Sequence, residues 1–198
     1  MQILFSMKII NSKMFRIFVL LFVLGFVLGV VSYFIIDSNL YNINIVNYIS
    51  SINDGNISYF DSFITSFFYK YLFLFLIFLF GIFFFCSLFT PIFIIFRGIS
   101  FGILFMSILC VFKLKGILLV LIMFCPCILV NELIYIFMSY YSYNFASKVY
   151  NVVKFDKFIN IKRFSKNYFS IFLIFSFIMI LNILFDVYIS SNLISFVV

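Results

Sequence analysis

Long apolar runs alternate with short polar stretches along the whole chain. A helix rises about 1.5 Å per residue, so about 20 mostly apolar residues cross the roughly 30 Å hydrocarbon core of a bilayer. By that measure the runs 17–36, 71–90, 98–112, 116–138 and 169–184 predict five transmembrane helices. The third run is short. Arg97 is the only charge between Tyr71 and Phe112, so 91–97 predicts a tight turn that lends residues to the spans on either side. The expected fold class is all-α, a polytopic membrane bundle forming a single domain over 1–198. One polar stretch carries a second pattern. Phe60, Phe63, Ile64, Phe67 and Tyr71 recur at helical spacing with Asp61, Ser62 and Thr65 off the stripe, which predicts an amphipathic helix on the outer surface before the second span.

Charge sets the expected orientation. Lys8, Lys13, Arg16, Arg97, Lys148, Lys154, Lys157, Lys162, Arg163 and Lys166 fall on one side of these spans, and Lys70, Lys113 and Lys115 on the other. Cytoplasmic loops hold the excess of Lys and Arg, which predicts the amino terminus inside and the carboxyl terminus outside. Residues 37–70 then form an outer segment, Asn-rich around the turn signal Asp54-Gly55, and 140–168 a basic cytoplasmic loop. The net charge of +7 is expected to face anionic membrane lipid and not nucleic acid. From Lys148 to Lys166 the bases interleave with Val149, Val152, Val153, Phe155, Phe158 and Ile159. That pattern suits either a helix lying on the membrane or plain topogenic charge. The first run is too long for a signal core, and 33–39 lacks a small-x-small cleavage pattern, so the first span is expected to remain as an anchor.

Composition agrees with a membrane bundle. Hydrophobic residues make up 67% of the chain and charged ones 10%, against about a quarter charged in soluble domains. The chain holds 35 Phe and no Trp or His. Phe, Ile, Asn, Lys and Tyr belong to AT-rich codons, so the Phe excess does not by itself point to an aromatic binding cage.

Chemistry-bearing groups are scarce. There is no His, and Cys86, Cys110, Cys125 and Cys127 lie inside predicted spans without ligand spacing. No catalytic centre, metal or cofactor is expected. Glu132 stands apart, because the other five carboxylates lie in loops or at span ends. It falls about five residues, roughly 7 to 8 Å, from the centre of the fourth span on the cytoplasmic side. Asn131 adjoins it, and Pro126 removes a backbone donor that would otherwise keep the helix straight. Two readings fit: an intramembrane ion or proton path, or a polar clamp closed by Arg97. Two G-x-x-x-G strips, Gly25 with Gly29 and Gly98 with Gly102, offer flat surfaces for close helix approach, within the bundle or against a partner.

In order, these pieces resemble the stage II sporulation protein M family of five-span bacterial membrane proteins. The resemblance rests on Leu24-Gly25-Phe26-Val27-Leu28-Gly29, on Ser66-Phe67-Phe68 with Lys70-Tyr71-Leu72, and on Phe96-Arg97-Gly98 with Gly102. Pro126, followed by Ala146-Ser147 and the basic loop, continues it through most of the chain. The stretch Ile134-Tyr135-Ile136-Phe137 departs from it, being bulky where small residues are expected. The resemblance implies a non-enzymatic scaffold in the bacterial cell membrane. Its partners would be the sporulation proteins D and P, which cut septal peptidoglycan during engulfment. The alternative from the residues is a permease subunit with a polar site around Glu132.

Overall fold

The computed structural model describes residues 12–35, 42, 43, 46, 59–83, 88–123, 128–155 and 161–190. Its regular elements are α1 (Lys13–Ile35), α2 (Tyr59–Ile82), α3 (Phe89–Met123), α4 (Leu129–Phe155) and α5 (Ile161–Phe185), closed by a π-helical turn, Asp186–Ser190. No strand occurs among the described residues. Lys13–Ile35, Tyr59–Ile82, Phe89–Leu118 and Phe164–Tyr188 are long and apolar enough to cross a membrane. The protein is a multi-pass α-helical membrane protein.

Local chemistry explains several helix boundaries. Ser12 caps α1, its Oγ accepting from the Phe15 amide at 3.2 Å, which satisfies an amide that the first turn leaves unpaired. Pro91 sits in the first turn of α3, where its missing N–H is not needed. The expected turn over 91–97 is therefore helix, and Arg97 lies eight residues inside it. Phe60 to Tyr71 form no separate surface helix either. They are the first half of the continuous α2, with Phe63, Phe67 and Tyr71 packed on the core. Lys70 thus stands near the middle of α2, about 16 Å from each end.

The predicted break between the third and fourth spans, at 113–115, is where the chain reverses: α3 turns back on itself at Lys113, whose φ of 49° and ψ of −120° break the helix. The carbonyl oxygen of Ile108 lies only 2.7 Å from where a Cβ of Gly116 would stand, and Leu109 Cα lies 3.3 Å from it. Residues eight apart in a straight helix are about 12 Å apart along the axis, so the limbs 89–112 and 114–123 form a hairpin. Glycine permits that approach. Helix α4 spans Leu129–Phe155; Pro126, with Cys125 and Cys127, lies outside the described residues.

Contacts fix the helix directions. Gly25 and Gly29 of α1 face Ile95 and Ile99 of α3, so these helices run parallel. In α2 and α4, Phe73 meets Tyr135 and Gly81 meets Ser142, another parallel pair. In α5 the order reverses: Phe78 of α2 meets Tyr168 and Phe172, and Tyr59 meets Tyr188. Helix α4 touches α1, α2, α3 and α5 and forms the centre. Its buried face holds Asn131, Glu132, Ser139 and Ser142 beside Ile134, Tyr135 and Met138. Enclosure by four helices lets polar groups find protein partners that lipid cannot provide.

Residues 140–168, read from sequence as a basic loop, are mostly helix. Ser142 is level with Gly81 in the last turn of α2, and α4 continues for thirteen residues, about 20 Å, beyond it. Residues 161–167 of α5 project alongside, with the Lys148 ammonium 4.0 Å from the Phe164 ring centroid. Lys148 to Phe155 and Ile161 to Lys166 are thus the ends of core helices, not one helix lying on the membrane.

Candidate functional site

The most chemically distinctive region is a polar cluster at mid-height of the bundle. Arg97 of α3 is hydrogen-bonded and ion-paired to Glu132 Oε1 in the first turn of α4. Its guanidinium carbon also lies 4.9 Å from the Phe73 ring centroid and 4.7 Å from that of Tyr135. One cation thus engages α2 and α4 together, through a carboxylate and two ring faces. Tyr135 donates its hydroxyl to the Lys70 carbonyl at 2.9 Å. Lys70 in turn pairs through Nζ with Asp186 in the π-helical turn. Beside Glu132, Asn131 accepts from Asn182 Nδ2 of α5 at 2.9 Å.

The formal charges balance. Lys70 and Arg97 face Asp186 and Glu132, each pair joining two different elements. The pairs differ in burial, with the Glu132 side chain 4% exposed and that of Asp186 25%. Glu132 Oε2 and Arg97 Nε are buried with no hydrogen-bond partner among the described residues. Tyr135, joined to the middle of α2, sets Glu132 at mid-height of the bundle.

Of the residues singled out from sequence, the structure brings Arg97, Asn131 and Glu132 into this cluster, while Pro126 falls outside the described residues. Gly25, Gly29, Gly98 and Gly102 meet elsewhere, in one seam between α1 and α3. A Cβ at any of them would sit well inside 3.0 Å of backbone on the facing helix. Phe22, Phe26, Phe101 and Phe105 stack along the seam at centroid distances of 5.6 to 5.7 Å. The seam is internal, so both strips are consumed in packing α1 on α3.

Comparison with family models, curated proteins and solved structures finds no match. The chain's own chemistry therefore carries the functional reading. Among the described residues no three His, Cys, Asp or Glu side chains gather as a metal group, and Cys110 is a free, exposed thiol.

Sequence reasoning missed Lys70, Phe73, Tyr135, Asn182 and Asp186 as members of the cluster. Lys70 and Asp186 read as span-ending charges. The available signal was spacing: Asn182 and Asp186 are four apart on one helical face, and Lys70 sits inside a 24-residue helix whose apolar pattern continues on both sides.

Proposed function

We propose that the protein is a non-enzymatic membrane scaffold with five crossings, its amino terminus inside and carboxyl terminus outside. It would hold extracytoplasmic peptidoglycan-cutting partners, as its resemblance to the stage II sporulation protein M family implies. One observation carries the reading: the charges within the bundle are spent on tying helices together. Arg97 with Glu132 joins α3 to α4, Lys70 with Asp186 joins α2 to the end of α5, and Asn131 with Asn182 joins α4 to α5. A rigid bundle presenting loops fits that use of polarity better than a centre that turns over substrate.

The orientation rests on the charges that remain once Lys70 and Arg97 are placed inside helices. Lys13, Arg16, Lys148, Lys154, Lys162, Arg163 and Lys166 lie toward one end of the helices, opposite Lys113 and Lys115, and Lys8 and Lys157 adjoin the first group in sequence. The fifth crossing is made by limb 114–123 together with the first half of α4. The partner-binding region is the outer segment, which now ends at Ser58 because α2 starts at Tyr59. Replacing residues 47–56 with a Gly-Ser linker and capturing the intact protein in mild detergent tests the docking role. Loss of a co-purifying cell-wall hydrolase supports it, and undiminished recovery refutes it.

A transporter is the second reading, favoured by the buried, partnerless Glu132 Oε2 beside the Asn131–Asn182 pair. Glu132→Gln keeps shape and hydrogen bonding while removing charge. If the wild-type protein conducts protons in proteoliposomes and this variant does not, the transporter reading replaces the scaffold.

A further inference from the structure

The projecting ends of α4 and α5 bound a cleft of about 220 Å³ that the proposed scaffold role does not use. Its floor is apolar and held in place. Phe145 and Tyr168 stack with centroids 4.6 Å apart and planes 5° from parallel, and the Tyr168 hydroxyl donates to the Phe78 carbonyl at 2.8 Å. Ile171 continues the floor toward the apolar part of α5. The rim is polar and cationic. Lys148, Asn144 and Asn167 line it, with no acidic residue in the lining.

The Lys148 ammonium lies 4.0 Å from the Phe164 ring centroid and makes no ion pair among the described residues. A ring face positions a cation without neutralising it, so the full charge remains available to an anion. The height of the cleft matters as much as its chemistry. Tyr168 stands level with Gly81 near the end of α2. Tyr168 lies four residues inside the apolar span Phe164–Tyr188, and the exposed Lys148 and Lys166 flank the cleft, which is the arrangement of a site at the depth of lipid headgroups.

We infer that this cleft binds the phosphate of an anionic phospholipid headgroup. Lys148 supplies the counter-charge, the amides of Asn144 and Asn167 donate hydrogen bonds, and the glycerol end of the lipid rests against Phe145 and Ile171. A zwitterionic headgroup brings a choline cation toward Lys148 and is disfavoured. Free phosphate offers the same oxygens but leaves the apolar floor uncovered. The inference does not depend on the partner-docking role, and orientation decides only which leaflet supplies the lipid.

The test uses the full chain purified in neutral detergent, with native mass spectrometry after titration with short-chain phosphatidylglycerol, phosphatidylcholine or inorganic phosphate. One phosphatidylglycerol per chain is expected, about tenfold tighter than phosphatidylcholine, with Lys148→Gln erasing most of that preference. Lys148 is exposed at the rim, so the variant keeps its fold. Lys154→Gln, on the same projection but outside the cleft, should leave affinity within about twofold. Equal loss from both variants would mean diffuse charge and overturn the inference, as would equal affinity for phosphatidylcholine. Inorganic phosphate competing at equal concentration would assign the cleft to a soluble ligand and overturn it too. Asn167→Leu gives an independent arm: unchanged phosphatidylglycerol affinity in that variant contradicts the amide contact.

Discussion

Replacing Arg97 and Glu132 singly and together asks whether the mid-height pair stabilises the bundle as a unit. Glu132→Leu strands a guanidinium whose side chain is 20% exposed. Removing one partner of a buried pair costs about 3–5 kcal/mol. The two ring faces at 4.9 and 4.7 Å remain and offset part of that loss, about 1 kcal/mol each. Glu132→Leu is therefore expected to cost about 1–3 kcal/mol. Arg97→Met leaves the more deeply buried carboxylate, 4% exposed, with no such compensation, and should cost about 3–4 kcal/mol. The double variant removes both charges and fills the space with apolar atoms, so it should lie within about 1 kcal/mol of wild type. The coupling energy is then about 3 kcal/mol or more. Sodium dodecyl sulfate titration of the protein in dodecyl maltoside, followed by far-ultraviolet circular dichroism, reads these differences. A double variant destabilised by the sum of the two single losses would show that the residues act independently, and the clamp would be wrong.

Gly102→Leu places a side chain on the Phe26 carbonyl of α1 and should cost at least about 2 kcal/mol in the same titration; a wild-type midpoint would mean the seam is loose. Lys113 holds a positive φ of 49° that glycine adopts freely, so Lys113→Gly is expected to raise stability by about 1 kcal/mol and Lys113→Val to lower it; the reverse order would place the reversal elsewhere. Tyr168→Phe removes the donor to the Phe78 carbonyl, and a loss of about 1 kcal/mol is expected by thermal unfolding of a fluorescent-protein fusion on gel filtration. For orientation, alkaline phosphatase fused after Lys157 should be inactive and after Ser191 active; either opposite result defeats the proposed topology.

Much of the fold was legible in the run lengths. Apolar stretches of about 20 residues have few stable alternatives to helices in a bilayer, because an unpaired backbone amide in hydrocarbon costs several kcal/mol. The G-x-x-x-G strips also announced close packing before any partner was known. Their partner was not legible, since small size licenses approach without naming the helix that approaches; only the folded chain sets Gly25 and Gly29 against Gly98 and Gly102.

Charges show the limit most clearly. Read along the chain, Lys70 and Arg97 ended spans, because a lone cation in lipid is costly and a loop is the cheapest place to put it. Tertiary structure supplied Asp186, Glu132 and two aromatic faces from distant helices, so both cations could stay inside. The bounds of α2 and α3 moved with them. Sequence by itself determined that this chain is an α-helical membrane protein with two G-x-x-x-G strips and one isolated acid. Which helix each of them meets was decided by the fold, because local hydropathy records the cost of burying a charge but not the partner that offsets it.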